Sequence, residues 1–158
     1  MPRDTRYQGA IIRDHHILLL RQTEHASGRS YWQIPGGGIE PGESEEMCVQ
    51  REMHEETCLR VQVQRLLLDE PSTPGAIYRR WKTYVCHILE GEAQPGCEPE
   101  AAYAEAYSFT DVGWFDLRRP ASWDDQIVSS PYLFSLLQRI RAALGYAEAA
   151  RPHQTKSG

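Results

Sequence analysis

The chain has no long apolar run. Its longest, Ile17 to Leu20, spans only a few residues, against the roughly 20 that a membrane-spanning helix needs. Its first residues, MPRDTRYQGA, lack the apolar core of a secretory signal. No membrane partner and a cytoplasmic location are therefore the expectation. There is no basic run either, and the net charge is −5, which argues against a groove for a long nucleic acid. The cysteines are few: Cys48, Cys58, Cys86 and Cys97 form no CxxC pair and have no His partner at zinc spacing. They read as reduced thiols, mostly buried filler. No internal repeat is visible. The remaining composition is that of an ordinary globular chain. Its 158 residues, 41% hydrophobic and 25% charged, suit one domain with a sizeable core.

Against this background residues 37–59 stand out, reading GGIEPGESEEMCVQREMHEETCL. Ser44 can cap a helix, with Glu45 and Glu46 in a first turn where the dipole favours acids. Glu52, Glu55 and Glu56 then fall three and four apart, sharing one arc of a helix with 3.6 residues per turn. Glu45 projects onto the same arc two turns earlier. Like charges at this spacing repel by a few tenths of a kcal/mol per pair. A solvated surface helix can tolerate that. A pooled stripe is also what a hard divalent cation such as Mg²⁺ or Mn²⁺ neutralises, since these ions prefer oxygen ligands.

The fixed positions are Gly37, Glu43 after five residues, and Arg51-Glu52 after seven more. An apolar Met53, Glu55-Glu56, and finally Cys58 with apolar Leu59 complete them. The segment resembles the signature box of the Nudix hydrolase family at every defined position but one, because the family has Gly where this chain has Cys58. The resemblance implies an α/β fold, the Nudix-type α/β/α sandwich with a mixed sheet. It implies metal ligation by the Gly37 carbonyl, Glu52 and Glu56, with Glu55 as a ligand or directly behind one. It also implies that Arg51 and Glu43 orient these acids, and that Glu52 accepts the proton of an attacking water. In some members an acid from a later loop does this, and Glu98, Glu100, Glu105 and Asp111 are the candidates here. The Gly that Cys58 replaces often adopts a left-handed conformation after a helix. A Cys there would be strained by about 1 kcal/mol, so the helix is expected to end without it.

The rest of the chain reads as a mixed α/β domain over residues 1–146 with a disordered tail at 147–158. Residues 7–12 and 17–20 suit a hairpin around Asp14-His15-His16. Residues 31–35 suit a short strand leading into a tight glycine turn at 36–38. Residues 61–68, 79–89 and 112–117 suit further strands, with a break at 71–75 and a loop at 90–107. Leu133, Leu136, Leu137, Ile140 and Leu144 mark an amphipathic closing helix over 131–144.

The expected substrate is a small nucleotide, and self-association into a homodimer stays open. The expected reaction is hydrolysis of a diphosphate bond in a nucleoside diphosphate linked to another moiety, foremost a (d)NTP-like nucleotide. Hydrolysis of ADP-ribose or a dinucleoside polyphosphate is the second reading, and a non-catalytic binding module the third. Tyr78, Arg79 and Trp81 are the substrate-binding candidates. Tyr31, Trp32, Tyr84 and Trp123 are further candidates for stacking on a base.

Overall fold

The computed structural model describes residues 3–97 and 107–146. Glu98, Glu100, Glu105 and the 147–158 segment lie outside the described residues. The chain opens with β1 (Arg3–Arg13) and β2 (His16–Glu24), antiparallel with Ile12 opposite Ile17. The turn between them places both Asp14 and His15 at positive φ, 49° and 65°. This hand of turn matches the twist of the strands it joins. Next come β3 (Ser30–Gln33), β4 (Gly36–Gly37), helix α1 (Glu45–Thr57), β5 (Arg60–Pro71), β6 (Tyr78–Glu90) and β7 (Tyr107–Asp116). A 3₁₀ turn (Pro120–Ser122) leads to the short helix α2 (Asp125–Val128) and to α3 (Pro131–Ala143).

The strands form one sheet in the order β3-β2-β1-β6-β5, with β4 paired to β1 and β7 to β2. The β1–β6 pair is parallel and the others are antiparallel, so the sheet is mixed. Side chains alternate between its faces. Tyr7, Ile11, Leu18, Tyr84 and Cys86 pack with Cys48, Val49 and Met53 of α1. Ala10, Ile17 and Leu19 pack with Leu133, Leu136, Leu137 and Ile140 of α3. The α/β/α layering follows. No helix among the described residues is long and apolar enough to cross a membrane.

Several boundaries differ from the sequence reading. Strand β7 starts at Tyr107, not at 112, because its first residues pair with the far end of β2 across a register shift. The glycine turn is instead the two-residue strand β4. Gly36 and Gly37 are not at positive φ; they are glycines because the backbone is crowded. A Cβ on Gly36 would lie 2.5 Å from the Tyr7 carbonyl oxygen. Cys48 and Cys86 are buried as expected, but Cys97 is exposed. Trp123 is a core residue whose indole N–H donates to the Asp116 carbonyl at 2.8 Å.

Cys58 overturns the expected helix ending. It adopts φ 63°, ψ 9°, the left-handed conformation, and its N–H donates to the His54 carbonyl at 2.9 Å. The box glycine's backbone geometry is kept although the glycine is gone. The preceding carbonyls, which a helix end leaves without intrahelical partners, are met from another segment. The N–H groups of Gln94, Gly96 and Cys97 donate to Thr57, Glu56 and Glu55 at 3.0, 2.7 and 2.8 Å. Under reducing conditions, Cys58→Gly should therefore raise the unfolding free energy by about 1 kcal/mol in urea denaturation. Unchanged or lower stability would show that the thiol's own contacts outweigh the backbone strain.

Candidate active site

Helix α1 is anchored at its start by Ser44, whose hydroxyl accepts the Met47 N–H at 3.1 Å. In the preceding loop the Glu43 carboxylate accepts the Glu40 N–H at 2.9 Å, which leaves it facing back along the helix. Arg51 meets it with a two-pronged fork, Nε to Oε2 at 2.7 Å and Nη2 to Oε1 at 2.9 Å. Such a fork fixes orientation as well as charge. The same guanidinium donates to Glu52 at 3.0 Å, to Glu55 at 3.3 Å and to the Gly38 carbonyl at 3.0 Å. Arg51 thus ties the glycine loop, Glu43 and two glutamates of the stripe into one half-buried cluster. Its hydrogen bonds hold the Glu43 carboxyl below the usual range. In turn Glu43 above all, then Glu52, hold Arg51 cationic.

Glu56 lies deeper. It is 7% exposed and accepts the Gly36 N–H at 3.1 Å. Burial pushes its carboxyl up to about 8, partly opposed by the nearby Arg6 cation. Burial also raises Glu52, against the pull of Arg51. Gly37 packs directly on Glu52, since a Cβ there would fall 2.4 Å from Glu52 Oε1. Only glycine lets the backbone lie against that carboxylate. Glu45 departs from the expected stripe. Its carboxylate is taken by Lys82 at 3.0 Å and by the Tyr84 hydroxyl, both on β6. The stripe is therefore Glu52, Glu55 and Glu56, and Tyr84 is committed to Glu45, not open for stacking.

The other candidates divide. Asp111 on β7 is exposed, sits opposite Arg21 and accepts the N–H of its own neighbour Val112. Among the described residues no hydrogen bond joins it to the α1 glutamates. Tyr78 and Trp81 are three apart on β6, so they point to opposite faces. Arg79 shares the Trp81 face and is exposed. Trp81 is next to Arg6 in the β1–β6 register and meets Tyr132 of α3 edge-on, with ring centroids 4.7 Å apart. Trp32 is packed edge-on against Phe115.

Arg6 and Tyr132 escaped the sequence reading. Arg6 donates to the Ile34 carbonyl at 2.9 Å and to Gln8 at 3.3 Å. Gln8 is fully buried and donates to the Thr83 hydroxyl at 2.8 Å. Arg6 acts electrostatically on Glu52, Glu56 and Tyr132 alike. Its charge thus reaches the glutamates and Tyr132, and Trp81 is its neighbour in the sheet. One arginine in a short strand carries no signal of this in sequence.

The donor chemistry fits a hard cation: Gly37, Glu52, Glu55 and Glu56 offer only oxygen. Among the described residues no three acidic, His or Cys side chains close around a single point at ligand distance. Arg51 keeps Glu52 and Glu55 in its own hydrogen bonds, and Glu56 is turned to Gly36.

The family model described as NUDIX domain matches residues 4–130. A Caenorhabditis elegans protein named nudix hydrolase 1 is 32% identical over 99 residues, 63% of this chain but 26% of that protein, so the chain spans about a quarter of it. A Mycobacterium tuberculosis protein named 8-oxo-dGTP diphosphatase 2 is 28% identical over 109 residues, covering 67% of this chain and 76% of that one. Among solved structures, an ADP-ribose pyrophosphatase from Streptococcus suis aligns over 94% of this chain and 96% of its own, at TM-score 0.64 and 22% identity. A NUDIX hydrolase from Nitrosomonas europaea aligns over 92% and 93%, at TM-score 0.67 and 16% identity. These structural likenesses establish the shared fold, and with the family match over most of its length the chain belongs to the Nudix family, whose members generally use divalent metal cations.

Proposed function

We propose that the protein is a Mg²⁺-dependent pyrophosphohydrolase that cleaves a diphosphate bond in a nucleoside diphosphate linked to another moiety, foremost a (d)NTP-like nucleotide. The observation that carries this reading is the Arg51 cluster. It gathers Glu43, Glu52 and Glu55 beside the glycine backbone, with Glu56 buried against Gly36. A protein that only bound nucleotide would have no use for the complete acid set. The likeness to a relative named 8-oxo-dGTP diphosphatase supports the triphosphate reading.

Gly37, Glu52, Glu55 and Glu56 are the residues that would hold the cation, Mg²⁺ or Mn²⁺. When bound, it would screen the diphosphate's charge and acidify an attacking water. Glu52 takes that water's proton as the P–O bond forms, and the bridging P–O bond breaks to release the other phosphate group. Burial makes Glu52 a stronger base than a solvated glutamate, which suits the task. Arg51 fixes its direction. Arg6 keeps N–H donors beyond its two internal bonds and offers them to a substrate phosphate. The exposed Tyr132 and its neighbour Trp81 provide the aromatic surface for a base.

Three outcomes test the reading. First, Glu52→Gln and Glu56→Gln should each retain the fold by circular dichroism and lower kcat by roughly 10²–10⁴ for every substrate. Undiminished turnover of Glu56→Gln, or full activity in excess chelator, would sink the metal mechanism.

Second, pH should act oppositely on the metal-free and metal-bound forms. Glu56 has a folded-state value of about 8, above the ordinary 4.5. Its protonated form therefore stabilises the fold fully below pH 4.5, and that contribution is lost as pH rises through about 8. Glu56 would have to give up this proton to hold a cation, so cation affinity should rise over the same window. Thermal melts should show the metal-free protein weakening from pH 5.5 to 8.5 while the Mg²⁺-induced shift in Tm grows. Activity should peak above about pH 8. A Mg²⁺ shift independent of pH, or an optimum near pH 5, would contradict the assignment of Glu56.

Third, substrate ranking should follow the sheet face. In a panel of nucleoside triphosphates, ADP-ribose and dinucleoside polyphosphates, Trp81→Ala should change KM and ranking, by roughly 5- to 150-fold on stacking energies, with little change in kcat on the best substrate. Arg6→Gln should raise KM for all nucleotides alike. Tyr78→Ala, on the opposite face, should leave the ranking as it is. If Trp81→Ala also leaves it unchanged, the base does not bind at the Trp81–Tyr132 surface.

A further inference from the structure

Cys58 and Cys97 are used by none of the chemistry above, yet the fold brings them together. Four backbone hydrogen bonds converge at the C-terminal end of α1. Three come from residues 94, 96 and 97, and the fourth is the Cys58 N–H to His54. The Cys58 sulfur lies 3.4 Å from the Gly96 carbonyl oxygen, the residue directly before Cys97. Burial first, then the neighbouring Cys97, pushes the Cys58 thiol up to about 12, which leaves the exposed Cys97 as the first nucleophile. A Cβ on Gly91 would fall 2.9 Å from the Cys58 carbonyl oxygen, so the loop lies tightly on the helix end. Cys97 is exposed and Cys58 is half-buried, whereas Cys48 and Cys86 are sealed in the core.

We propose that Cys58 and Cys97 form an oxidative modification site, at which a low-molecular-weight disulfide such as oxidised glutathione links them to each other. The exposed Cys97 thiolate attacks one sulfur of the small disulfide, forming a mixed disulfide and expelling one thiolate. The Cys58 thiolate then attacks the Cys97 sulfur and expels the second. Two protein thiols are oxidised, one small disulfide is reduced to two thiols, and the departing thiolates take up the two protons. This is ordinary thiol–disulfide exchange, with the accessible sulfur attacking first. The product clamps the 91–97 segment onto the turn of α1 that carries Glu55 and Glu56. It also gives a role to a cysteine placed at a left-handed position where glycine would be relaxed.

The test uses the full-length protein, reduced and then exposed to oxidised glutathione. Thiol titration in denaturant should fall from four to two, and a non-reduced digest should contain a peptide pair joined through Cys58 and Cys97. The linkage closes a long loop, so Tm should rise by roughly 5–10 °C over the reduced form. Cys97→Ser and Cys58→Gly should fold, keep basal activity and lose this response. Four remaining thiols, glutathione resting on Cys97 without a cross-link, or two thiols still lost in Cys97→Ser would overturn the site. A cross-link without a rise in Tm would overturn the clamp.

Discussion

Everything at the site depends on one electrostatic difficulty: like-charged carboxylates are collected on a helix face and partly withdrawn from water. Withdrawing a charge disfavours it strongly unless a partner is supplied. The two arginines divide that task by depth. Arg51, from the helix itself, supplies hydrogen bonds to the outer acids Glu43, Glu52 and Glu55. Arg6, from the first strand, supplies field but no hydrogen bond to the innermost acid, Glu56. That is why Glu43 is held low and Glu56 is driven high although both belong to one motif. A cation entering the site would complete a compensation that the protein's own charges leave unfinished at its deepest point.

The backbone is shaped by the same demand. Gly36 and Gly37 form a short strand on β1 because the sheet, through Tyr7 and Gln8, must bring main chain up to the carboxylates. A side chain at Gly37 would occupy the space of Glu52 itself. The glycines are therefore spacers removed from a crowded contact more than hinges. The cost of holding acids so close is shared with the core, since Met53 between them is fully buried against the sheet. Helix position and carboxylate position are thereby set by a single packing.

What was legible in the sequence was whatever depends on local period. Spacings of three and four place Glu52, Glu55 and Glu56 together without reference to the rest of the chain, and Ser44 caps the helix where its neighbours predict. The layered fold was legible because alternation in strands and the leucine spacing of α3 are also local. What was not legible depends on partners distant in the chain. Glu45 fits the stripe by period, but Lys82, 37 residues later, claims it. Arg6 gains its place through the parallel pairing with β6, which no local pattern announces. Tyr78 and Trp81 could have been separated in advance, since three residues along a strand reverse the face. Cys58 misled for another reason. Residue preference argued against a left-handed cysteine, but three amides from the 94–97 segment reward the geometry that preference disfavours.

The box is consequently not a self-contained unit. Its first half is closed by its own Glu43–Arg51 fork, within eight residues of sequence. Its last turn is closed by a segment nearly 40 residues away, and its deepest acid is balanced from the first strand. Chemistry common to a family can stay with the residues that hold themselves in place. Properties that distinguish one member from another can then be written into the parts that lean on the box from outside. Here those parts are Arg6 on β1 and the loop that bonds to the end of α1. Both can change without rebuilding the carboxylate cluster, because Arg6 reaches it through its electrostatic field and the loop through backbone hydrogen bonds, and neither through the carboxylates' own packing.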